Sequence, residues 1–380
     1  MASLPALPAE MKALRYNKPR EFEIVKVPLP KLRDDDVLVK VKACGVCGTA
    51  NIKKRGREER KLTHRCQHIH EGEFIATFPL TPGHETVGII VAVGPKVTDF
   101  QVGDRVAADN SEPCGRCYYC RKGELLMCEN WAAHGINLPG GFAEYCAYPQ
   151  SKVFRLRPES DPSAITDLEA TLIEPASCAA HGLDKIRPRL GSSVLMFGAG
   201  PTGLMLAQLL LRNGCTSLTL AAPAGPKLDL ARELLSSHPP LTTTFVELPR
   251  DADAQASALQ QLQQANPRGY DIVVEATGNA KLLESGIEFV ARGGTLVVYG
   301  VYPNAARVIW SPTRIFNDEI RIIGSFSQLY MFPQTIDYLE SGLVKTQGIV
   351  NKVFRLEEYG EALESIRNKT AIKAAIVFDD

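Results

Sequence analysis

Two hydrophobic patterns divide the chain into regions with different predicted structure. Residues 37–42 alternate between apolar and polar side chains, and residues 86–93 form an apolar run that ends at Gly94. Both patterns predict β-strands. Gly and Pro residues are frequent between them, which favours an irregular, β-rich domain in the first third of the chain.

From about residue 190, short apolar runs alternate with helical patterns. Strands are predicted over 193–197, 218–221, 271–276, 294–299 and 321–324, and helices over 202–212, 227–236 and 254–265. This alternation predicts an α/β domain with a doubly wound parallel sheet.

The last part of the chain carries a further helical pattern near 357–367 and a strand pattern over 371–377. We expect this tail to return to the first domain. The predicted boundaries are 1–165, 166–324 and 325–380.

Charge and composition narrow the class of protein. The chain has 380 residues, with 43 basic and 43 acidic side chains, so its formal net charge is zero. This balance argues against a nucleic-acid or membrane partner. No apolar run approaches a membrane span, and the first residues lack the regions of a secretory signal. We therefore expect a cytoplasmic protein whose ten cysteines are reduced.

Four of these cysteines lie in one short segment. They are Cys114, Cys117, Cys120 and Cys128. Four thiolates satisfy the tetrahedral preference of Zn²⁺ and leave no open position, so we predict a structural zinc site. Arg116, Arg121 and Lys122 lie where they can offset the excess negative charge. Unrelated cysteines, two of them in disulfides, are the disfavoured alternative.

A glycine fingerprint follows the strand predicted over 193–197. It runs Gly198, Ala199, Gly200, Pro201, Thr202, Gly203 and opens a helix. The first glycine allows a tight turn, the second admits a pyrophosphate, and the third lets helix and strand pack closely. The context predicts a dinucleotide site, with a ligand-free glycine turn as the alternative.

The end of the next strand bears on which dinucleotide binds. NAD sites usually place an acidic residue there, but this chain has Ala222, with Lys227 shortly after. Alanine removes a charge that would repel a 2′-phosphate, and Lys227 can reach one, so NADP is favoured. If Lys227 is only solvated, NAD is the cofactor. Further candidates for cofactor contact are Thr277, Val298 and Ser325.

Several short motifs follow one another along the chain in an order that a known enzyme family shares. They are 45–49 (Gly-Val-Cys-Gly-Thr), 82–85 (Pro-Gly-His-Glu), 102–106 (Val-Gly-Asp-Arg-Val), 141–145 (Gly-Phe-Ala-Glu-Tyr) and 173–175 (Ile-Glu-Pro). With the four cysteines and the glycine fingerprint, they make nearly the whole chain resemble the zinc-dependent medium-chain dehydrogenases. The polyol branch (sorbitol, xylitol, arabinitol) is most similar, with threonine dehydrogenase as a relative. The resemblance implies a GroES-like catalytic domain and a Rossmann domain.

The resemblance also implies roles for individual residues. Cys47, His84 and Glu85 would bind a catalytic zinc, Glu174 would hold its water or become a ligand, and Thr49 would pass the alcohol proton outward. A thiolate, an imidazole and a carboxylate leave one position open. Zinc as a Lewis acid lowers the pKa of an alcohol, so that hydride can leave for the nicotinamide. A Cys44–Cys47 redox pair is the disfavoured alternative.

Two departures from the family pattern qualify this interpretation. Ala50 stands where the family has Asp, and residues 50–67 resemble an insertion, either a natural loop or a translated intron. Its basic stretch, 51–65, favours a solvated or disordered loop over a nucleic-acid patch, because it contains no aromatic residue. Ser327 stands where sorbitol dehydrogenases have an Arg that contacts the polyol, which favours a pentitol.

The combined prediction is an NAD(P)-dependent zinc polyol dehydrogenase that forms a homo-oligomer, either a dimer or a tetramer. A threonine or other secondary-alcohol dehydrogenase is one alternative. A zinc- and dinucleotide-binding protein that the insertion near Cys47 renders inactive is another.

Overall fold

The computed structural model describes residues 7–47, 76–236 and 242–379. They form two compact units. Residues 7–47, 76–177 and 328–379 belong to the first unit, and residues 178–236 and 242–327 belong to the second. The insertion predicted over 50–67 lies outside the described residues, as does Thr49.

The strands alternate with helices mainly in the second unit. In chain order the strands are β1 (Glu10–Lys18), β2 (Glu21–Pro28), β3 (Asp36–Val46), β4 (Thr86–Val93), β5 (Arg105–Ala108), β6 (Ser111–Glu112), β7 (Ala132–Ala133), β8 (Tyr145–Pro149), β9 (Val153–Arg155), β10 (Ser193–Phe197), β11 (Ser217–Ala222), β12 (Thr242–Glu247), β13 (Tyr270–Glu275), β14 (Val290–Val298), β15 (Arg321–Gly324), β16 (Val350–Arg355) and β17 (Lys373–Val377).

The α-helices are α1 (Tyr118–Arg121), α2 (Asp167–Ala170), α3 (Ile173–Ile186), α4 (Pro201–Arg212), α5 (Pro226–Leu235), α6 (Ala252–Ala265), α7 (Ala280–Gly286), α8 (Pro312–Asn317), α9 (Phe332–Glu340) and α10 (Tyr359–Arg367). Short 3₁₀ helices cover Leu125–Met127, Gln150–Lys152, Ile287–Phe289 and Leu356–Glu358.

The first unit is built on a mixed sheet in the order β16-β17-β3-β4-β5-β9, and β8 also pairs with β3. Along β3, Val37, Val39 and Val41 are buried, as the alternating pattern predicts. Cys44 is buried in the same strand. The tail joins this sheet, because β17 pairs antiparallel with β3 and places Ala374 opposite Val46.

The second unit contains a parallel sheet in the order β12-β11-β10-β13-β14-β15. This confirms the predicted α/β class. The strand register sets Phe197 level with both Ala221 and Glu275, and Val298 level with Glu275 and Gly324. The carboxyl ends of these strands therefore meet along one edge, where open parallel sheets bind ligands.

Several strands were not predicted individually from the sequence, and β12 and β16 show one reason. Three consecutive threonines begin β12, and most of β16 is exposed, so neither strand shows a clear apolar alternation. Both are outermost in their sheets. An edge strand buries little of its surface, so its sequence carries a weaker hydrophobic pattern.

Candidate metal centres and cofactor site

Three predicted metal ligands lie at one end of β3 and β4. Cys47 directly follows β3, and His84 and Glu85 directly precede β4. The two strands pair antiparallel with Cys44 opposite Thr86, so the residues just beyond these positions are neighbours. One ligand atom from each of the three side chains lies within 4.8 Å of the others.

Glycine at position 45 lets the chain pass close to the Glu85 carboxylate. A Cβ atom at Gly45 would overlap that carboxylate. The Gly45 N–H donates a hydrogen bond of 3.0 Å to the backbone oxygen of Glu85. Gly83 has a φ of +101°, and a Cβ there would lie 2.9 Å from Cys44 Sγ. Both glycines are therefore required for the ligand cluster to close.

The Glu85 carboxylate forms a buried ion pair with Lys373, the first residue of β17. Lys373 Nζ lies 2.8 Å from Glu85 Oε1 and 2.6 Å from Oε2. The two side chains are 4% and 0% exposed. Burial alone would lower the pKa of the Lys373 ammonium, but the charges of Glu85, Cys47 and Glu174 outweigh it and raise that pKa.

Glu174 is the second residue of α3 and is buried. Its charge has the smallest effect of those that raise the pKa of Lys373. Thr49, the predicted proton carrier, lies outside the part of the chain that the structure describes.

The donor set fits a catalytic zinc ion. A thiolate, an imidazole and a carboxylate are all zinc ligands, and three protein ligands leave a fourth position for a small molecule. The chemistry of the site therefore agrees with the role predicted for Cys47, His84 and Glu85, and a buried cation balances part of their negative charge.

The four clustered cysteines form a separate centre, whose sulfur atoms lie within 4.8 Å of one another. Positive φ angles at Gly115 and Gly123 supply the tight turns. Backbone N–H groups of Arg116 and Cys117 lower the pKa of the Cys114 thiol to about 6. Burial raises the pKa of Cys120 to about 12. Four sulfurs without an additional side-chain ligand suit a closed structural zinc site.

The basic residues of this lobe lie on its surface. Arg116, Arg121, Lys122 and the ring of Tyr118 line a common depression, and all four are exposed. This is the position expected for charges that offset a four-thiolate centre.

The glycine fingerprint joins β10 to α4. Gly198 has a φ of +108°, and a Cβ there would lie 2.9 Å from Thr277 Cγ2. Gly200 is the N-cap of α4 and Pro201 its first residue. The helix therefore presents backbone N–H groups and the positive end of its dipole at the edge of the sheet, which suits a pyrophosphate.

The other predicted cofactor residues share this edge. Thr277 follows β13, Val298 ends β14, and Ser325 follows β15 and donates a backbone hydrogen bond to Val298. A buried carboxylate, Glu275, accepts hydrogen bonds from the backbone of Thr277 and Gly278 and from both the Thr277 and Tyr302 hydroxyls. Burial raises the pKa of Glu275. Glu275 therefore fixes the loop that carries Thr277.

Ala222 ends β11 and is buried, and Lys227 lies in the first turn of α5. Sequence reasoning missed the acidic residue that stands beside Ala222. The register of β11 and β12 places Glu247 level with Ala222. Arg232 on α5 holds Glu247 at 2.8 Å, so this carboxylate is already paired with a cation.

Comparisons with known proteins agree with both parts of the site. Residues 33–158 match the model of the alcohol dehydrogenase GroES-like domain, and residues 201–341 match that of zinc-binding dehydrogenases. D-arabinitol dehydrogenase 1 from Uromyces fabae is 50% identical over 370 residues, which are 97% of this chain and 98% of that protein. The chain belongs to the zinc-binding dehydrogenase family.

Two solved dehydrogenase structures share this fold. One, from Sinorhizobium meliloti 1021 and bound to NADP, has a TM-score of 0.84 and 29% identity, and covers 98% of this chain and 100% of its own. The other, an Escherichia coli CFT073 dehydrogenase complexed with NADH, has a TM-score of 0.82 and 26% identity, with the same coverage. Relatives of this zinc-binding dehydrogenase thus bind either nicotinamide cofactor.

The remaining sequence expectations concern partners and substrate contacts. Among the described residues, no helix is long and apolar enough to cross a bilayer. Ser327, which stands where an Arg was expected in sorbitol dehydrogenases, is buried with a φ of +55°. The next residue, Gln328, donates a hydrogen bond of 2.7 Å to Asp109 Oδ1.

Lys373 is the residue of the metal centre that sequence reasoning missed. It lies 288 positions after Glu85, so no local motif links them. The available signal was a lone charge in an otherwise apolar strand pattern over 371–377. Buried charges need a partner, and such a position therefore predicts a nearby acidic group.

Proposed function

We propose that this dehydrogenase oxidises a secondary alcohol of a polyol to a ketose, with a pentitol such as arabinitol or xylitol as the substrate and NADP as the favoured cofactor. The grouping of Cys47, His84 and Glu85 within 4.8 Å carries this proposal. The similarity to a D-arabinitol dehydrogenase supports the substrate class. The first unit would provide catalysis, and the second would bind the cofactor.

Separate groups of residues would carry the chemistry. Cys47, His84 and Glu85 would hold a catalytic zinc ion, whose Lewis acidity would lower the pKa of an alcohol. Glu174 would supply a carboxylate to this centre, and Thr49 would accept the alcohol proton and pass it outward. Cys114, Cys117, Cys120 and Cys128 would hold a second, structural zinc ion.

The second unit positions the hydride acceptor. The α4 N-terminus at Gly200 would bind the pyrophosphate, together with Pro201, Thr202 and Gly203. Thr277, Val298 and Ser325, at the same edge of the sheet, would contact the rest of the cofactor. The hydride transfer itself belongs to the cofactor's chemistry, and the protein contributes orientation.

NADP is favoured because the end of β11 carries no carboxylate, and Glu247, which is level with Ala222, is paired with an arginine. Glu247 is paired with Arg232, and Lys227 adds a second cation on α5. Ala222→Asp should restore a partner for the 2′-hydroxyl and repel a 2′-phosphate, shifting preference toward NAD. Ala224→Asp, at an exposed position in the same loop, is the control. A wild type that already prefers NAD strongly would contradict this assignment.

The chain is also proposed to form a homodimer through the outer edge of its parallel sheet. β15 is one of the two edge strands of this sheet, and Ile322 on it is 37% exposed. Nearby in sequence, Ile309 and Phe316 are 84% and 82% exposed. An unpaired edge with exposed apolar residues favours pairing with another copy. Phe316→Asp should yield monomers in analytical ultracentrifugation, and Leu190→Asp, at another exposed apolar residue, should not. A tetramer in the wild type would indicate a further interface.

A reducing compartment such as the cytoplasm suits this protein. The nine cysteines that the structure describes are all free thiols. Both proposed zinc centres require thiolates, which an oxidising compartment would convert to disulfides.

A substrate panel tests the proposed activity. D-arabinitol, xylitol, sorbitol and threonine should each be assayed with NAD and with NADP, measuring cofactor reduction. We expect a pentitol with NADP to be fastest. Highest activity with threonine would identify the alternative dehydrogenase. Zinc and cofactor binding without turnover on any alcohol would support the third alternative, an inactive protein. In that case the insertion, which begins immediately after Thr49, would disrupt the catalytic centre.

A further inference from the structure

Lys373 places a buried positive charge against a metal ligand. Its ammonium lies 2.8 Å and 2.6 Å from the two oxygens of Glu85. The register of β17 and β3 explains the contact, because Ala374 is opposite Val46 and Lys373 is therefore level with Cys47. The contact is fixed by the sheet itself.

The apolar surroundings of Lys373 make the burial of its charge costly in free energy. Its neighbours along the chain, Ile372, Ala374, Ala375 and Ile376, are all buried. A buried ion pair often stabilises a protein no more than apolar residues of the same volume would. Packing alone therefore gives no reason for a lysine here, whereas the chemistry of Glu85 does.

We propose that Lys373 is a positioning residue that shares the Glu85 carboxylate with the metal and thereby weakens the metal's hold on that ligand. Both carboxylate oxygens contact the ammonium, so a metal ion must bind an oxygen whose charge is already partly neutralised. Glu85 can then yield its position when another ligand arrives. This rests on the proposed function of Glu85 as a zinc ligand.

The test measures how fast zinc leaves the full-length protein. Lys373→Met removes the charge and keeps the length of the side chain. Zinc release to an excess of chelator should become slower, on the order of tenfold, a scale typical of groups that contact metal ligands. Lys373→Arg should restore a release rate within about twofold of wild type. Lys352→Met, at an exposed lysine on the neighbouring strand β16, should have no effect.

A spectroscopic measurement separates this role from simple support of the fold. With Co²⁺ in place of zinc, visible bands weaken as the coordination number rises. When a competing ligand such as imidazole is added, the Lys373→Met protein should show weaker bands than wild type, because Glu85 remains bound. If Lys373 only supports the fold, Lys373→Met should leave the Co²⁺ spectrum with imidazole unchanged. The variant should then also release its metal faster than the wild type.

A double-mutant cycle shows whether the effect passes through Glu85. In a Glu85→Gln background, Lys373→Met should change the release rate by less than about twofold. Faster release in Lys373→Met, or an equal effect in both backgrounds, overturns the proposal. If Lys373→Met does not fold, the Glu85→Gln variant alone decides. A weakly held Glu85 predicts that zinc release in Glu85→Gln is accelerated by less than about tenfold, and a larger acceleration overturns the proposal. These readouts do not depend on which alcohol is oxidised, so they can fail independently of the substrate assignment.

Discussion

The two candidate metal centres are assembled in opposite ways. The four cysteines of the surface lobe come from one continuous segment, and tight turns at Gly115 and Gly123 bring them together. The other centre gathers Cys47 from the end of β3 and the pair His84–Glu85 from the start of β4. Lys373, which forms the ion pair with Glu85, lies on a third strand, β17. One centre depends on local turns, and the other depends on the register of a whole sheet.

This difference suggests different consequences when a ligand is lost. A closed four-cysteine site contributes folding free energy, whereas an open three-ligand site contributes chemistry. The following experiments test whether the two centres separate in this way.

The largest effect is expected from replacing one cysteine in each centre. Cys47→Ser should lower turnover by at least about a thousandfold, because Lewis acidity supplies several kcal/mol of transition-state stabilisation. It should leave the melting temperature nearly unchanged. Cys114→Ser should instead lower the melting temperature by roughly 10 °C. Steady-state kinetics and calorimetry on both variants measure this, and equal losses of stability would show that the centres do not differ in role.

Chelation should distinguish the centres in the unmodified protein. We expect two zinc ions per chain by elemental analysis. The ion at Cys47, His84 and Glu85 should leave first, since its open position admits a competing ligand. Activity should then be lost before secondary structure, as followed by circular dichroism. A single zinc per chain, or loss of both signals together, would contradict this order.

A smaller effect is expected at Glu174, a buried carboxylate. Glu174→Gln keeps the shape of the side chain but removes its charge. Turnover should fall by roughly one to two orders of magnitude, as for other groups that tune metal ligands, while zinc content and melting temperature remain. Glu169→Gln, in the preceding helix α2, tests whether any acidic residue of this region has the same effect. Wild-type turnover in Glu174→Gln would assign the carboxylate a structural role.

The smallest effect is expected from shortening the chain next to the open centre. Replacing residues 50–67 with Asp-Leu rebuilds the arrangement that the family resemblance implies. Activity should rise several-fold, because a shorter connection loses less entropy on closure and holds the ligand segment better. The four-cysteine centre should retain its zinc in both forms. Equal or lower activity with both zincs present would show that the segment is a functional part of the site.

The contrast between the centres also explains what could be predicted from the sequence. Cysteine spacing and the glycine fingerprint are local, so the lobe and the β10–α4 turn follow directly from adjacent residues. Cys47 lies far along the chain from the adjacent pair His84–Glu85, and only the resemblance to a family joined them. Lys373 and Glu247 were missed because each acts on a neighbour across strands, through a register that no periodicity specifies.

The pairing of β17 with β3 has a consequence for synthesis on the ribosome. β3 and β4 emerge early, but β17 follows β3 by about 330 residues. At roughly 5–20 residues per second, Glu85 waits tens of seconds for Lys373 to be translated. During that interval the second unit, which comes from the continuous segment 178–327, can fold. The sheet of the first unit, whose strands come from before and after this segment, is then still incomplete. The Lys373–Glu85 pair is thus expected to form only after translation is nearly complete, whereas the four-cysteine lobe can bind zinc while the chain is still growing.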